Sequence, residues 1–263
     1  MSIEKFTHPS PITLKEVKAN PKVVALIDGA NELLRSMGFT EHGHRHVGIV
    51  SGITRHIMDT INMPPREVEL GQIAAYLHDI GNVVNRNDHP MIGASMAFTI
   101  LNEMGMPPDE IAPVLGAIGN HEELAGTPVS IMSAALIVAD KSDVHRSRVQ
   151  NPIEETFDIH DRVNYAVVKS RVEMDKDEKM ICLVLDIDTS FASVMEYFEI
   201  FFESHDYVPQ GFRNFWLQVF VECEWHAFRI KIRRPDWIAV LLEILVSLFS
   251  VRLDTDFSIV GLE

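Results

Sequence analysis

The sequence predicts a mainly α protein, a helical bundle with a small C-terminal α/β appendage, and three observations point to it. Apolar residues recur at helical spacing from residue 21 to about residue 145. Pro and Gly cut that stretch into separate segments. A short β-favouring run, ICLVLDID from Ile181 to Asp188, comes only afterwards.

The first segment opens at Pro21, runs through Val24, Ile27, Leu34 and Met37, and closes at Gly38. A second covers about Arg45 to Asn62 and is broken by Met63-Pro64-Pro65. The third, about Arg66 to His78, stops at Gly81, and the fourth, His89 to Met104, ends at Gly105 and the Pro107-Pro108 pair. Asp109 and Glu110 suit the first turn of a fifth helix, because carboxylates favour the positive end of the helix dipole. That helix continues through Ile111, Val114 and Ile118 to His121, and a sixth spans about Ser130 to Val144. After Asp161 the texture changes. The Ile181 strand is followed by SVMEYFEIFFE from Ser193, which has helical spacing. The expected organisation is a helical domain over 1–165, the start of the appendage over 166–204, and an aberrant tail over 205–263.

The chain has 263 residues, with 23 Lys+Arg against 38 Asp+Glu, a formal charge of −15 and 46% hydrophobic residues. That composition belongs to a folded chain. The acidic balance argues against nucleic acid as partner, since such binding needs clustered Lys and Arg to release counterions. A small-molecule substrate fits better. Cys182 and Cys223 form neither a disulfide framework nor a CxxC pair, and the first residues carry no apolar signal-peptide core, so a cytoplasmic location is expected. The run Trp237 to Val251 is interrupted by Glu243 and is shorter than the ~20 residues that span a bilayer. It predicts a buried or amphipathic helix and no membrane partner.

Several His and Asp share faces with core residues. His46 lies on one helical stripe with Val50, Ile53 and Ile57; His89 with Gly93, Met96 and Ile100; His121 with Val114 and Ile118; and Asp140 with Ser133 and Ile137. His78 and Asp79 close the third helix behind Leu70, Ile73, Ala74 and Leu77. A lone inward His is more often a hydrogen-bonded core residue than a ligand, and an inward Asp is often a cap. Four such His and two such Asp on successive helices are different, because each buried polar group is costly unless paired or metal-bound. A shared cation explains the set, and helix bundles build metal sites in this way.

His46, the His78-Asp79 doublet in AAYLHDIGN, His89 in NDHPMIGA, His121 in IGNHEE and Asp140 in ADKSD resemble the ordered H…HD…H…H…D pattern of the HD-domain superfamily of metal-dependent phosphohydrolases. The resemblance covers about residues 20 to 165, and the following DVHRSRV to FDIHDRVNYAV looks like a bacterial branch of that superfamily. It implies that His46, His78, Asp79 and Asp140 ligate a first metal. His89 and His121 match the extra ligands of two-metal members, with Asp79 bridging. Many members carry Lys where this chain has Asn82, and some two-metal members have adjacent His where it has His121-Glu122. Glu122 is either a base at the site or a solvated helix-end carboxylate.

Mixed imidazole and carboxylate ligands suit one or two divalent transition metals, Mn, Fe, Co, Ni or Zn. Such ions polarise a phosphoryl group and hold a hydroxide for in-line attack. Asp79, Glu122 and Lys141 are the catalytic candidates. Lys141, Arg146 and Arg148, with Arg162 beyond them, are candidates for binding substrate phosphate; the alternative is surface salt bridges with Asp143, Asp158 and Asp161. His42 and His44 either line the mouth of the site or cap the turn at Gly43, and His56, His145 and His160 are read as ordinary. The expected activity is hydrolysis of a phosphomonoester or phosphodiester of a small metabolite or nucleotide. Two further readings stay open: a di-iron oxygenase of the HD type, and a non-catalytic metal-binding sensor.

The tail raises a separate question. All three Trp and eight of the 14 Phe lie after residue 200, and the helical pattern of VMEYFEIFFE dissolves into SHDYVPQGFRNFW. A reading-frame slip near codon 204 accounts for the break. Reading each codon's last two bases with the next codon's first turns Trp216 and Trp225 into Gly, and Glu224 into Asn or Ser. The resulting Asn/Ser-Gly pair between alternating apolar residues is a hairpin signal. A divergent aromatic-rich tail is the alternative. The slip predicts that residues 205–263 pack poorly on the rest and supply no site residue, and that resequencing finds an extra or missing base near codon 204 relative to close relatives. An intact frame refutes it.

Overall fold

The computed structural model describes residues 11–122, 128–175, 180–202, 218–224 and 227–233. Helices α1 (Leu14–Ala19), α2 (Pro21–Ser36), α3 (His44–Thr60), α4 (Pro65–Leu77), α5 (His89–Glu103), α6 (Pro108–Gly119) and α7 (Ile131–Ser142) form the bundle. Six of these lie within one to three residues of the spans that periodicity and punctuation predict. The boundaries have visible causes: Pro21, Pro65, Pro90 and Pro108 occupy first-turn positions where a missing N–H costs nothing. Gly38 and Gly105, both at φ +87°, follow the ends of α2 and α5 in the left-handed conformation that glycine tolerates.

Helix α4 is the hub. Val68, Leu70, Gly71, Ile73, Ala74, Ala75, Tyr76 and Leu77 are all buried, as expected of a helix enclosed on all sides. It packs against α1, α3, α6 and α7, while α3 also packs on α7 and α5 on α6. A short 3₁₀ turn, Ile80–Val83, follows the His78-Asp79 doublet and lies against α2 and α5.

The appendage starts with α8 (Ile159–Ala166), capped by the Asp158 side chain, and β1 (Val167–Asp175). Neither is predicted from the sequence. β2 (Met180–Ile187) and α9 (Val194–Phe202) follow, within a residue or so of the predicted strand and helix. β3 (Gln218–Glu224) and β4 (Ala227–Arg233) complete an antiparallel sheet of order β1-β2-β4-β3. β4 is hydrogen-bonded to β2 along its length, so residues 227–233 join the appendage sheet. The physical reason is a period-two pattern present in the frame as written. Val219, Val221 and Cys223 register with Ile232, Ile230 and Phe228, and Glu222 registers with Arg229. The predicted helix around Trp237 to Val251 lies outside the described residues. Among the described residues no helix is long and apolar enough to cross a membrane.

The tightest backbone approach joins the turn after α4 to the start of α5. A Cβ on Gly81 would lie 2.0 Å from the His89 carbonyl oxygen and 2.6 Å from the Gly93 nitrogen. Gly81→Ala is therefore expected to destabilise the protein by about 1–3 kcal/mol, the usual cost of overpacking. Gly52, where a Cβ meets nothing within 4 Å, supplies the control: Gly52→Ala should leave stability unchanged or raise it by up to about 1 kcal/mol. Thermal unfolding of the two variants checks this, and equal melting temperatures would contradict it.

Candidate metal centre

All six predicted ligands come from helix ends, which gather at one side of the bundle. His46 is in the first turn of α3, His78 and Asp79 directly follow α4, His89 begins α5, His121 follows α6, and Asp140 is in the last turn of α7. His46, His78, His89 and His121 are all about 1% exposed or less, so their orientation is set by the protein.

That orientation has a common cause. The His78 Nδ1–H donates to the Ala75 carbonyl (2.8 Å), His89 Nδ1–H to the Arg86 carbonyl (2.8 Å), and His121 Nδ1–H to the Ile118 carbonyl (2.7 Å). Each acceptor stands three residues earlier, and for His78 and His121 it is one of the carbonyls a helix C-terminus leaves unpaired. His46 Nδ1–H donates instead to Asp143 Oδ2 (2.8 Å). With every Nδ1 engaged, all four rings carry an unprotonated Nε2 in the neutral state and turn it toward the same interior space.

The carboxylates meet them there. His46 Nε2 lies 3.2 Å from Asp140 Oδ1 and 3.6 Å from Asp79 Oδ2; His78 Nε2 lies 3.3 Å from Asp79 Oδ2 and 3.6 Å from Asp140 Oδ1. His89 Nε2 is 3.5 Å from Asp79 Oδ1 and 3.0 Å from His121 Nε2. Three overlapping groups could each hold an ion: His46, His78 and Asp140; His78, Asp79 and His121; and His89, His121 and Glu122. The donors fit a metal by an independent criterion. His46 Nε2, His78 Nε2 and Asp79 Oδ2 are buried with no hydrogen-bond partner, and one such orphan costs about 1–3 kcal/mol. Three orphans aimed at one space describe a cation site.

The electrostatics agree. Burial pulls the His78 imidazole down, but Asp79 and Asp140 outweigh it and raise its pKa to about 10. Burial dominates at His121, with the His78 charge adding to it, and lowers its pKa to about 3. Asp79 and Asp140 are held well below the usual carboxylate range despite burial, Asp79 chiefly by His78 and Asp140 chiefly by Lys141.

The centre opens into a cavity of about 350 Å³, where Asp79, His121, Glu122, Asp140 and Lys141 meet residues of the α2–α3 loop and of α8. Lys141 Nζ lies 3.1 Å from Asp140 Oδ2. Arg148 lines the cavity too, but donates to the carbonyls of Asp143 and Glu41. Arg146 does not line it: its guanidinium lies over the Tyr165 ring, 5.4 Å from the centroid. Arg162 is paired with Glu196. Arg162 is thus in a salt bridge, though to Glu196 and not to one of the expected aspartates, while Arg148 lies 3.7 Å from Asp143, as the salt-bridge alternative expects.

Arg86, His160 and Asp143 are placed at the site although the sequence reading gave them no role there, and His42, left open between the mouth of the site and a turn cap, lies on the wall. Arg86 lines the cavity and reaches Glu122 Oε2 at 3.3 Å. His42 lines it as well, 3.2 Å from Arg148 Nη2, and burial, then Arg148, push its pKa well below the usual histidine value. His160, read as ordinary, is on the cavity wall. Asp143 orients His46 and is itself held by two 3.0 Å bonds from Arg45. Asn82 donates to Asp79 Oδ1 (2.8 Å).

The chain is similar to known proteins over part of its length. The chain is 29% identical over 191 residues to the uncharacterized protein MJ1020 of Methanocaldococcus jannaschii, covering 63% of this chain and 72% of that one. A crystal structure of a predicted HD superfamily hydrolase from an uncultured Thermotogales bacterium superposes with a TM-score of 0.39 at 23% identity, covering 51% of this chain and 75% of that one. Residues 43–171, from the N-cap of α3 into β1, match the HD domain family. The HD-domain match thus covers the segment that carries all six ligand candidates, from His46 to Asp140.

Proposed function

We propose that this protein is a metal-dependent phosphohydrolase acting on the phosphomonoester or phosphodiester of a small metabolite or nucleotide. The observation that carries the reading is the junction, in one cavity, of an orphaned imidazole and carboxylate cluster with cationic side chains. In a chain of formal charge −15, Arg86, Lys141 and Arg148 flanking that cluster favour an anionic ligand. His46, His78, Asp79 and Asp140 hold the metal, with His121 beside them. A bound divalent ion supplies Lewis acidity toward a phosphoryl oxygen and lowers the pKa of a water nucleophile.

The remaining work belongs to the chain. Asp143 holds the His46 ring in one tautomer and one orientation, and Arg45 in turn fixes Asp143. Asn82 does the same for Asp79. Lys141, on the cavity wall beside Asp140, meets a phosphate oxygen and balances charge as the phosphoryl group is attacked. Glu122, held by Arg86 and only partly exposed, stands at the cavity edge, where it can take a proton from water.

Asp143→Asn keeps the shape but not the charge, and is expected to weaken metal binding about 10- to 100-fold, the usual effect of losing a partner that orients a ligand. Metal titration of the folded variant measures this; unchanged affinity would remove Asp143 from the centre. Phosphate release from a nitrophenyl phosphate or its diester should disappear with chelator, return with Mn²⁺ or Ni²⁺, and fall about 10- to 100-fold in kcat/KM in Lys141→Ala, the loss of one charge-assisted contact. O₂ uptake by iron-loaded protein in place of phosphate release would support an oxygenase. Tight metal binding with no turnover over a broad phosphoester panel would support a sensor.

A further inference from the structure

The ligand groups on the two sides of Asp79 are not equivalent. All three orphaned atoms, His46 Nε2, His78 Nε2 and Asp79 Oδ2, lie on the His46 side. On the other side an amide and a fixed cation already stand among the corresponding atoms, and the two unprotonated imidazole nitrogens there face each other with no hydrogen between them. Asp79 Oδ1 accepts from Asn82 Nδ2 (2.8 Å), His89 Nε2 and His121 Nε2 face each other at 3.0 Å, and Glu122 Oε2 is paired with Arg86 Nη2 at 3.3 Å. Arg86 Nη1 also lies 3.3 Å from Nδ1 and 3.2 Å from Nε2 of His89, near-equal distances that place the guanidinium over the ring face. Arg86 Cζ also lies over the Phe39 ring, 5.9 Å from its centroid, and the Arg86 carbonyl accepts from His89 Nδ1.

We infer that this HD domain is a one-ion centre in which the Arg86 guanidinium takes the electrostatic place of a second divalent ion at His89, His121 and Glu122. The inference rests on the metal reading above and adds to it the number of ions and the residue that sets that number. A divalent ion on His89 and Glu122 would have to share both with a fixed cation, and like charges at such distances repel strongly in a buried setting. The His46 side has the opposite balance. Two buried carboxylates, Asp79 and Asp140, face two imidazoles, with Lys141 the nearby cation.

The test counts ions. Protein equilibrated with Mn²⁺ and freed of loose metal should retain about one ion per chain by elemental analysis, and His89→Ala should retain the same, whereas His46→Ala should lose it. Arg86→Gln should retain about two, or show affinity for a second Mn²⁺ raised by more than about tenfold in titration. Two ions in the wild type at similar affinity, or a folded Arg86→Gln protein that still takes one, would overturn the inference while leaving the metal reading intact. No Mn²⁺ bound by any form would overturn both.

Discussion

The structure depends on one constraint: four imidazoles must present Nε2 to the same buried space, and each does so because its Nδ1–H is bound elsewhere. For His78 and His121 the acceptor is a carbonyl in the last turn of the preceding helix, and for His89 it is the Arg86 carbonyl just before α5. A helix C-terminus lacks partners for its final carbonyls. A histidine placed one turn after such a carbonyl both satisfies it and fixes its own tautomer. The ligand geometry is thus local in origin, written at helix ends, and the bundle's task is to bring those ends together. That requirement explains why the turn after α4 and the first turn of α5 approach so closely that Gly81 leaves no room for a Cβ. A wider separation would part His78 and Asp79 from His89.

Six bundle helices were legible because their apolar period is long and Pro or Gly marks most of their ends. The inward histidines were legible for the same reason, lying on stripes that face the core. The missed elements lack such signals. α8 has eight residues, too few for a periodic argument, and β1 contains Lys169, Arg171, Glu173 and Asp175, so its strand character becomes visible only through pairing with β2. Arg86 sits in the polar Asn85–Asp88 stretch, where no period exists to aim a side chain. Arg146 and Arg148 were grouped with the site because they follow Asp140 closely in the chain. They belong to one 3₁₀ turn, and at three residues per turn side chains two apart diverge by about 240°. Arg148 reaches the cavity and Arg146 turns toward Tyr165.

The appendage contributes to the site as well as to the fold. β1 follows α8 directly and packs against α3 and α7, the helices that carry His46 and Asp140. The same connection brings Asp158, His160 and Asn164 to the cavity wall, with Ile200 of α9 beside them. The cavity therefore has a floor of metal-type ligands from the bundle and a side wall from α8 and α9.

Charge balance ties these parts together. Asp79 and Asp140 are kept ionised in a buried setting by imidazoles and Lys141, and Asp143 by His46, Arg148 and Arg45. Among the carboxylates grouped as ligands, Glu122 is the one already paired with an arginine. A divalent ion among the orphaned atoms of His46, His78 and Asp79 would satisfy them all and compensate the two aspartates. Further positive charge at His89 would meet Arg86 instead of an uncompensated carboxylate. A divalent cation at the orphaned atoms would therefore sit deep in the interior without a net buried charge, beside the guanidinium and ammonium groups of the cavity wall.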